Sequence, residues 1–146
     1  MTTQDDLYVP CVTPTAITAH QVAESERMDF LPRHVGRRFL LVETTVFRML
    51  EKLSPDYQGG IWHFYTLSNG GYFMAPSDPE QLRMYCDGNG FSGTVSSEAA
   101  GIIACAMALS HLSFQIEGEG LTAAFYRLRD YALAHAEAAS IFGALD

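Results

Sequence analysis

The longest apolar stretch of the chain, the 11 residues at 99–109, limits the possible fold more than any other feature. It is apolar on every side of a helix rather than along one stripe, so other elements must surround a helix formed here. Ser96 or Ser97 can cap this helix, which we predict to run to about Phe114. A membrane span needs about 20 apolar residues, so the stretch predicts a central buried helix instead.

Two aromatic-rich runs joined by an Asn-Gly turn predict a β-hairpin. The runs cover residues 61–67 and 72–75. Apolar and polar residues alternate at 82–87, which predicts a third antiparallel strand with one solvent-exposed face. The large side chains on both faces of the hairpin fit either a core covered by helices or an exposed aromatic binding surface.

The remaining segments predict helices and one irregular arm. Residues 23–30 form a short helix that Pro32 ends, and residues 33–36 follow as an exposed turn. Apolar residues recur at helical spacing in 39–53, in a long segment that starts at 121 and reaches His135, and in a short terminal segment at 138–145. The predicted fold class is α+β (α/β), a single compact domain in which a small antiparallel sheet of about three strands packs against four to five helices.

We expect residues 1–21 to form an irregular arm, with one short strand around 8–12, and residues 22–146 to form the domain. The N-terminus is polar and acidic, unlike a secretory signal, which favours a cytoplasmic protein without a membrane anchor. Cys11, Cys86 and Cys105 are odd in number and lack a C-x-x-C pair. They are typical of free thiols in a reducing compartment rather than of disulfides or structural zinc.

The charge of the chain argues against strong direct binding to nucleic acid. The formal net charge is −8, from 17 acidic and 9 basic residues. Nonspecific attraction to phosphate needs clustered Lys and Arg. A protein that imitates DNA would need a face carrying about one negative charge per 1.7 Å, and the sequence has no acidic run of that kind.

Gly88, Gly90 and Gly93 form a G-x-G-x-x-G pattern between a predicted strand and a predicted helix. A dinucleotide site also needs a second parallel strand after that helix, whereas here a further helix follows. A nucleophile elbow has the pattern G-x-S-x-G, but Thr94 stands two residues after Ser92, where the pattern needs glycine. We therefore interpret the segment as a glycine-bent turn from strand to helix. A small hydrolase or nucleotide-binding enzyme that uses this bend is the alternative function.

Neither the histidines nor the arginines form a recognised motif. The five histidines lack H-x-x-x-H or H-E-x-x-H spacing, so we predict no metal site. His111 lies on the apolar helix, where we expect a core histidine bonded to a backbone carbonyl. Arg33, Arg37 and Arg38 cluster beside His34. They form either a basic patch that can bind a partner carboxylate or an ordinary solvent-exposed start of a helix.

Five ordered blocks of the sequence resemble consecutive blocks of the ArdB/KlcA antirestriction proteins. They include the strings FLPRHVG, YQGGIWHFY and LSNGGYFMAP. The blocks are residues 30–36, 57–65, 67–76, 89–91 together with 96–114, and 128–133 together with His135. The resemblance spans about residues 22–146 without large gaps, and it is more specific than any single motif.

This resemblance implies a compact α/β domain that relieves type I DNA restriction in a cell receiving a plasmid or other mobile element. The implied mode is a non-enzymatic inhibitor that is not a DNA mimic. Its partner would be the type I restriction-modification complex, contacted directly or through a host factor. The family pattern supplies no catalytic residue and no cofactor, and we expect a monomer.

Polar positions within the matched blocks that core packing does not explain are our candidates for partner contact. These candidates are Arg33, His34, Asn69, Asp130 and Asp146. The sequence departs from its relatives at Val35, where they often carry an aromatic residue, and in the acidic loop at 118–120. These departures concern the range of restriction systems that the protein acts on, not the fold.

Overall fold

The predicted aromatic hairpin is present and belongs to a three-stranded antiparallel sheet. The structure is a computed structural model that describes residues 16–117 and 120–146. Strands β2 (Trp62–Leu67) and β3 (Tyr72–Pro76) form the hairpin, and the short strand β1 (Ala19–Gln21) pairs with the other side of β2. β1 lies at the end of the segment expected to be an irregular arm. The strand expected around residues 8–12 lies outside the described residues.

Two further strands, β4 (Gln81–Cys86) and β5 (Phe91–Ser96), form a separate antiparallel hairpin. The predicted exposed face of β4 is confirmed, since Leu82 and Met84 are buried and their neighbours face solvent. The prediction of a glycine-bent turn running directly from strand to helix is wrong. Residues 91–93 instead pair with residues 84–86, so the bend is a hairpin turn followed by a full strand.

In the part of the chain that the structure describes, five α-helices pack around two sheets, which confirms the predicted α+β class. The helices are α1 (Arg27–Val35), α2 (Phe39–Leu53), α3 (Ser97–Ser113), α4 (Leu121–Leu133) and α5 (Ala138–Leu145), with short 3₁₀ turns at Glu24–Glu26 and Gly36–Arg38. The Ser96 hydroxyl accepts a hydrogen bond from the Ala99 amide at 3.1 Å, so the predicted cap of α3 is confirmed. Within the described ranges, each helix is too short or too polar to span a bilayer.

Helix α1 continues through Pro32, so the predicted stop there and the exposed turn at 33–36 are wrong. Proline removes one helical hydrogen bond and crowds the preceding turn, which destabilises a helix interior. Tertiary packing offsets this cost, because Phe30, Leu31 and Val35 of α1 are all buried in the core. The helix ends instead at Gly36, whose φ of 77° lies in the region that favours glycine.

The two faces of the three-stranded sheet are covered by different helices. On one face Phe30 of α1 stacks on Phe64 at 4.9 Å between ring centroids. On the other face Phe73 stacks on Tyr131 of α4 at 5.8 Å. The buried aromatic residues of the hairpin are Trp62, Phe64, Tyr72 and Phe73. The core interpretation of the hairpin is therefore confirmed.

Helix α3 runs along the outer edge of β3, which buries the central helix as predicted. The Cys105 thiol accepts a hydrogen bond from the Met74 amide and donates one to the Met74 carbonyl, both at 3.4 Å. Gly101 permits this approach, because a Cβ there would lie 2.6 Å from the Ala75 Cα and even closer to the Met74 carbonyl oxygen. The helix thus satisfies an edge strand that would otherwise present unpaired backbone groups.

The far end of α3 is exposed on one side, and the expectation of a core histidine at position 111 is wrong. His111 faces solvent, with Nε2 3.2 Å from the Gln115 side-chain nitrogen. Phe114, directly after the helix, is 88% exposed. One side of the last turn still packs in the core, since Leu112 is buried, whereas His111 and Phe114 lie on the side that faces solvent.

Candidate functional site

Arg33 and His34 lie side by side on α1 and line a cavity of about 290 Å³ together with Val22, Phe30 and Thr66. The Arg33 guanidinium is 3.5 Å from the Glu26 carboxylate, and both side chains are largely exposed. Such a surface ion pair contributes little to stability. The guanidinium therefore remains available for a carboxylate on another molecule.

His34 presents a neutral ring at this cavity. The imidazole lies 4.4 Å from the Tyr72 ring and 4.9 Å from the Phe30 ring, measured between centroids. Burial lowers the pKa of His34, and the positive charge of the neighbouring Arg33 lowers it further. The side chain can therefore offer one donor and one acceptor to a ligand near neutral pH.

Asn69 holds the β2–β3 turn against helix α4. Its side-chain oxygen accepts a hydrogen bond from the Gly71 amide at 2.9 Å, and its side-chain nitrogen donates to the Arg127 carbonyl at 2.9 Å. This bonding gives Asn69 a role in the fold that the sequence did not reveal. Its assignment as a partner contact stays a prediction.

Asp130 and Asp146 lie on other parts of the surface. Asp130 is exposed on α4, and Asp146 follows the last residue of α5. Asp146 lines a cavity of about 380 Å³ with His111, Phe114 and Arg129. The structure brings Arg33 and His34 together and puts Asp146 in a different cavity, so the five candidates do not share one pocket.

The glycine-rich bend at 88–93 lacks the geometry of a nucleotide site. The Asn89 side-chain nitrogen donates to the Gly143 and Ala144 carbonyls at 3.2 and 2.8 Å, and its oxygen accepts from the Phe91 amide at 2.9 Å. The bend thus meets the C-terminal end of α5, where backbone carbonyls carry partial negative charge. A phosphate group binds at the opposite end of a helix, so this arrangement does not suit a nucleotide.

A polar cluster that the sequence did not predict connects the start of α3 to the segment between α4 and α5. His135 Nε2 lies 2.8 Å from a Glu98 carboxylate oxygen, and the Tyr131 hydroxyl donates to the same oxygen at 3.4 Å. Glu137 accepts hydrogen bonds from the Ser96 amide, at 2.9 Å, and from the Ser96 hydroxyl. Burial, together with the charge of Glu98, raises the pKa of Tyr131 to about 12, so its hydroxyl stays protonated.

This cluster contains a serine, a histidine and two carboxylates, but they are not arranged as a catalytic triad. The Ser96 hydroxyl donates to the Glu137 carboxylate, whereas a nucleophilic serine donates to a histidine. His135 Nδ1 accepts a hydrogen bond from the Glu137 amide at 2.9 Å, so its proton is on Nε2, facing Glu98. The arrangement holds two helices together rather than activating a hydroxyl.

The part of the chain that the structure describes contains no group of three or more histidine, cysteine, aspartate or glutamate side chains placed to hold a metal ion. Cys105 is buried, and burial raises the pKa of its thiol to about 12. A thiol with this pKa is a poor nucleophile and a poor metal ligand.

Comparison with known proteins gives consistent matches over nearly the whole chain. A family model described as an antirestriction protein matches residues 55–146. The antirestriction protein KlcA of Escherichia coli is 44% identical over 140 residues, which cover 91% of this chain and 96% of that protein. The uncharacterized protein YafX of Escherichia coli strain K12 is 40% identical over 148 residues, which cover 99% of this chain and 97% of that protein.

The fold also matches a solved structure of the KlcA and ArdB proteins. The TM-score is 0.85 at 38% sequence identity, and the match covers 94% of this chain and 100% of that chain. Those proteins show a novel fold and antirestriction activity against type I DNA restriction systems in vivo but not in vitro. The similarity therefore includes the arrangement of the strands and helices described above.

Proposed function

This chain belongs to the antirestriction protein family, and we propose that it relieves type I DNA restriction in a cell that receives a plasmid or other mobile element. The observation that carries the proposal is the match in fold, over 94% of the chain, to proteins with that activity in vivo. The 44% identity to the antirestriction protein KlcA of Escherichia coli supports the same function. The expected place of action is the cytoplasm, where incoming DNA meets the restriction complex.

The proposed mode is inhibition through a protein surface, without catalysis. A hydrolase needs a nucleophile, a base and an oxyanion site that converge on one pocket. In the polar cluster of this chain, Ser96 is bonded to Glu137 and His135 to Glu98, so these groups are occupied within the fold. An inhibitor needs only a complementary surface of about 800 Å² on each partner.

Imitation of DNA is not part of the proposal. A mimic must present its carboxylates to solvent at the spacing of phosphates. Several carboxylates of this chain are instead bonded within the fold: Asp56 forms a 2.7 Å ion pair with Arg83, and Glu98 contacts His135 at 2.8 Å. These two carboxylates are therefore engaged within the fold and are not free to imitate phosphates.

The proposed partner is the type I restriction-modification complex, contacted directly or through a host factor. Activity of the related proteins in vivo but not in vitro favours a component that the cell supplies. Arg33, His34, Asn69, Asp130 and Asp146 are the proposed contact residues. Because they do not share one pocket, we propose that they act as separate contacts of a monomer on a larger partner rather than as one binding site.

The test is plating of unmodified phage on cells that carry a type I system, with and without this chain at natural expression levels. Phage already modified by the same system is the control, because restriction does not act on it. We expect the chain to raise the plating efficiency of unmodified phage and to leave that of modified phage unchanged. No rise across several type I families, with folded protein verified in the cells, would overturn the proposal.

A further inference from the structure

Helices α1 and α2 leave two large apolar side chains in solvent beside the same cavity. Met28 is 87% exposed and Leu40 is 61% exposed. With Leu31, Pro32 and Phe39 they line a cavity of about 270 Å³ between the two helices. A single exposed apolar residue is ordinary, whereas apolar residues grouped at a cavity are typical of an interaction site.

Two arginines directly precede Phe39 and Leu40, the residues of α2 that line this cavity first. Arg37 and Arg38 are exposed and precede Leu40 in the chain, and neither forms an ion pair within the described residues. Residues 33–42 contain three of the nine basic residues and no acidic one. In a chain with a net charge of −8, this segment is locally positive. Its charge is therefore complementary to an acidic partner.

Glu43 lines the same cavity one turn further along α2. Its carboxylate repels an acidic group there, while Arg37 and Arg38, which lie just before the first residue of α2, attract one. This asymmetry fixes the direction in which an acidic segment can lie across the cavity. A nucleic acid fits less well, because two or three arginines do not outweigh the acidic surface of the rest of the chain.

We propose that the α1–α2 patch, defined by Met28, Arg37, Arg38 and Leu40, binds an acidic segment of a partner protein. One apolar side chain of that segment enters the cavity, and its carboxylates pair with the two guanidiniums, which can each bind a carboxylate through two hydrogen bonds. An apolar anchor in a pocket with charged groups at the rim is the usual form of an interface hot spot. The inference rests on the proposed function, since the partner is the component through which restriction is relieved.

The first test is photocrosslinking in cells that carry a type I system. A photoreactive phenylalanine analogue replaces Met28 in one variant and Leu41 in the control, because Leu41 is also exposed but does not line the cavity. The crosslinked partner peptide is then identified by mass spectrometry. We expect a crosslink from position 28 alone, to a segment with net negative charge. A crosslink to a basic segment, to nucleic acid or to a second copy of this chain would overturn the proposal, as would no crosslink.

The second test measures restriction relief in matched variants. Leu40→Ser is compared with Leu41→Ser. Arg37→Glu and Arg38→Glu are each compared with Arg48→Glu, which lies on α2 eight residues beyond Leu40. Loss of a hot-spot contact predicts at least about tenfold weaker relief for the cavity variants and little change for the controls. Circular dichroism verifies that each variant is folded.

The outcomes separate this inference from the proposed function. If the natural chain gives no relief, the proposed function fails, and the crosslink from position 28 still decides whether the patch binds an acidic segment. If the natural chain gives relief and all cavity variants match it while folded, the proposed function stands and the docking inference is overturned.

Discussion

Helix α3 and the outer side of helices α1 and α2 use apolar residues in opposite ways. Where α3 meets β3, no space remains for a side chain at Gly101. There the Cys105 thiol forms hydrogen bonds with both the amide and the carbonyl of Met74. In the α1–α2 patch, Met28 and Leu40 stay in solvent, although burying each would contribute about 1.5–3 kcal/mol. The α3–β3 contact is thus required for stability, whereas the patch is a surface available for binding.

The largest expected effect on stability comes from Gly101→Ala. The added methyl group would lie 2.6 Å from the Ala75 Cα and closer still to the Met74 carbonyl, so helix and strand must separate. We expect the free energy of unfolding to fall by about 3 kcal/mol or more. Urea unfolding measures it, with Gly88→Ala as the control, because a methyl group at position 88 meets no atom within 4 Å. Equal effects of the two substitutions would contradict the close contact of α3 with β3.

Cys105→Ala should have the next largest effect. It leaves the buried amide and carbonyl of Met74 without their thiol partner. Because a buried unsatisfied polar group destabilises a fold by about 1–3 kcal/mol, we expect the free energy of unfolding to fall by about that amount. Urea unfolding of the variant checks this value. Alkylation of the natural protein at pH 8 is an independent check: because the pKa of Cys105 is raised to about 12, Cys86 should react first and Cys105 only on unfolding. Rapid labelling of Cys105 in the folded protein would be incompatible with this contact.

Asn89→Ala should destabilise the protein by about 1 kcal/mol. Its amide satisfies two carbonyls in the last turn of α5, which have few partners within their own helix. Asn89→Asp should be at least as destabilising, because it removes the donor and adds a negative charge at the C-terminal end of that helix. Thermal unfolding of both variants gives the answer, and an aspartate variant as stable as the natural chain would argue against this capping role.

The smallest expected effect on stability is that of Leu40→Ser. The side chain is mostly in solvent, so the free energy of unfolding should change by no more than about 0.5 kcal/mol. Chemical unfolding checks this, with Leu41→Ser as the reference. A loss comparable to that of Gly101→Ala would mean that the patch is part of the core, and the distinction between the two regions would fail.

Local signals in the sequence were sufficient to predict most of the fold. The Asn-Gly turn, the apolar periodicity of α2 and the cap of α3 act over a few residues, and each was confirmed. Strand β5 was missed because the glycines at 88, 90 and 93 indicated a turn into the helix, whereas pairing with β4 makes residues 91–96 a strand. The stop at Pro32 was wrong because burial of Phe30, Leu31 and Val35 outweighs the local preference of proline.

The candidate site was less predictable, since it depends on contacts between distant residues. The hydrogen bond between Ser96 and Glu137 joins residues 41 positions apart, and that between Glu98 and His135 joins residues 37 apart. The hydrogen bond from Asn69 to the Arg127 carbonyl of α4 could not be predicted either, because it also joins distant residues. The periodicity of residues 39–53 did not indicate that Leu40 borders a cavity.

The most direct test of inhibition without catalysis is the dose dependence of restriction relief. Phage plating is measured while the number of copies of this chain per cell is varied and compared with the number of restriction complexes. A stoichiometric inhibitor predicts relief that grows in proportion to copy number and is complete only when copies are comparable to its target. Complete relief from far fewer copies than complexes would contradict it, because only a catalyst acts repeatedly.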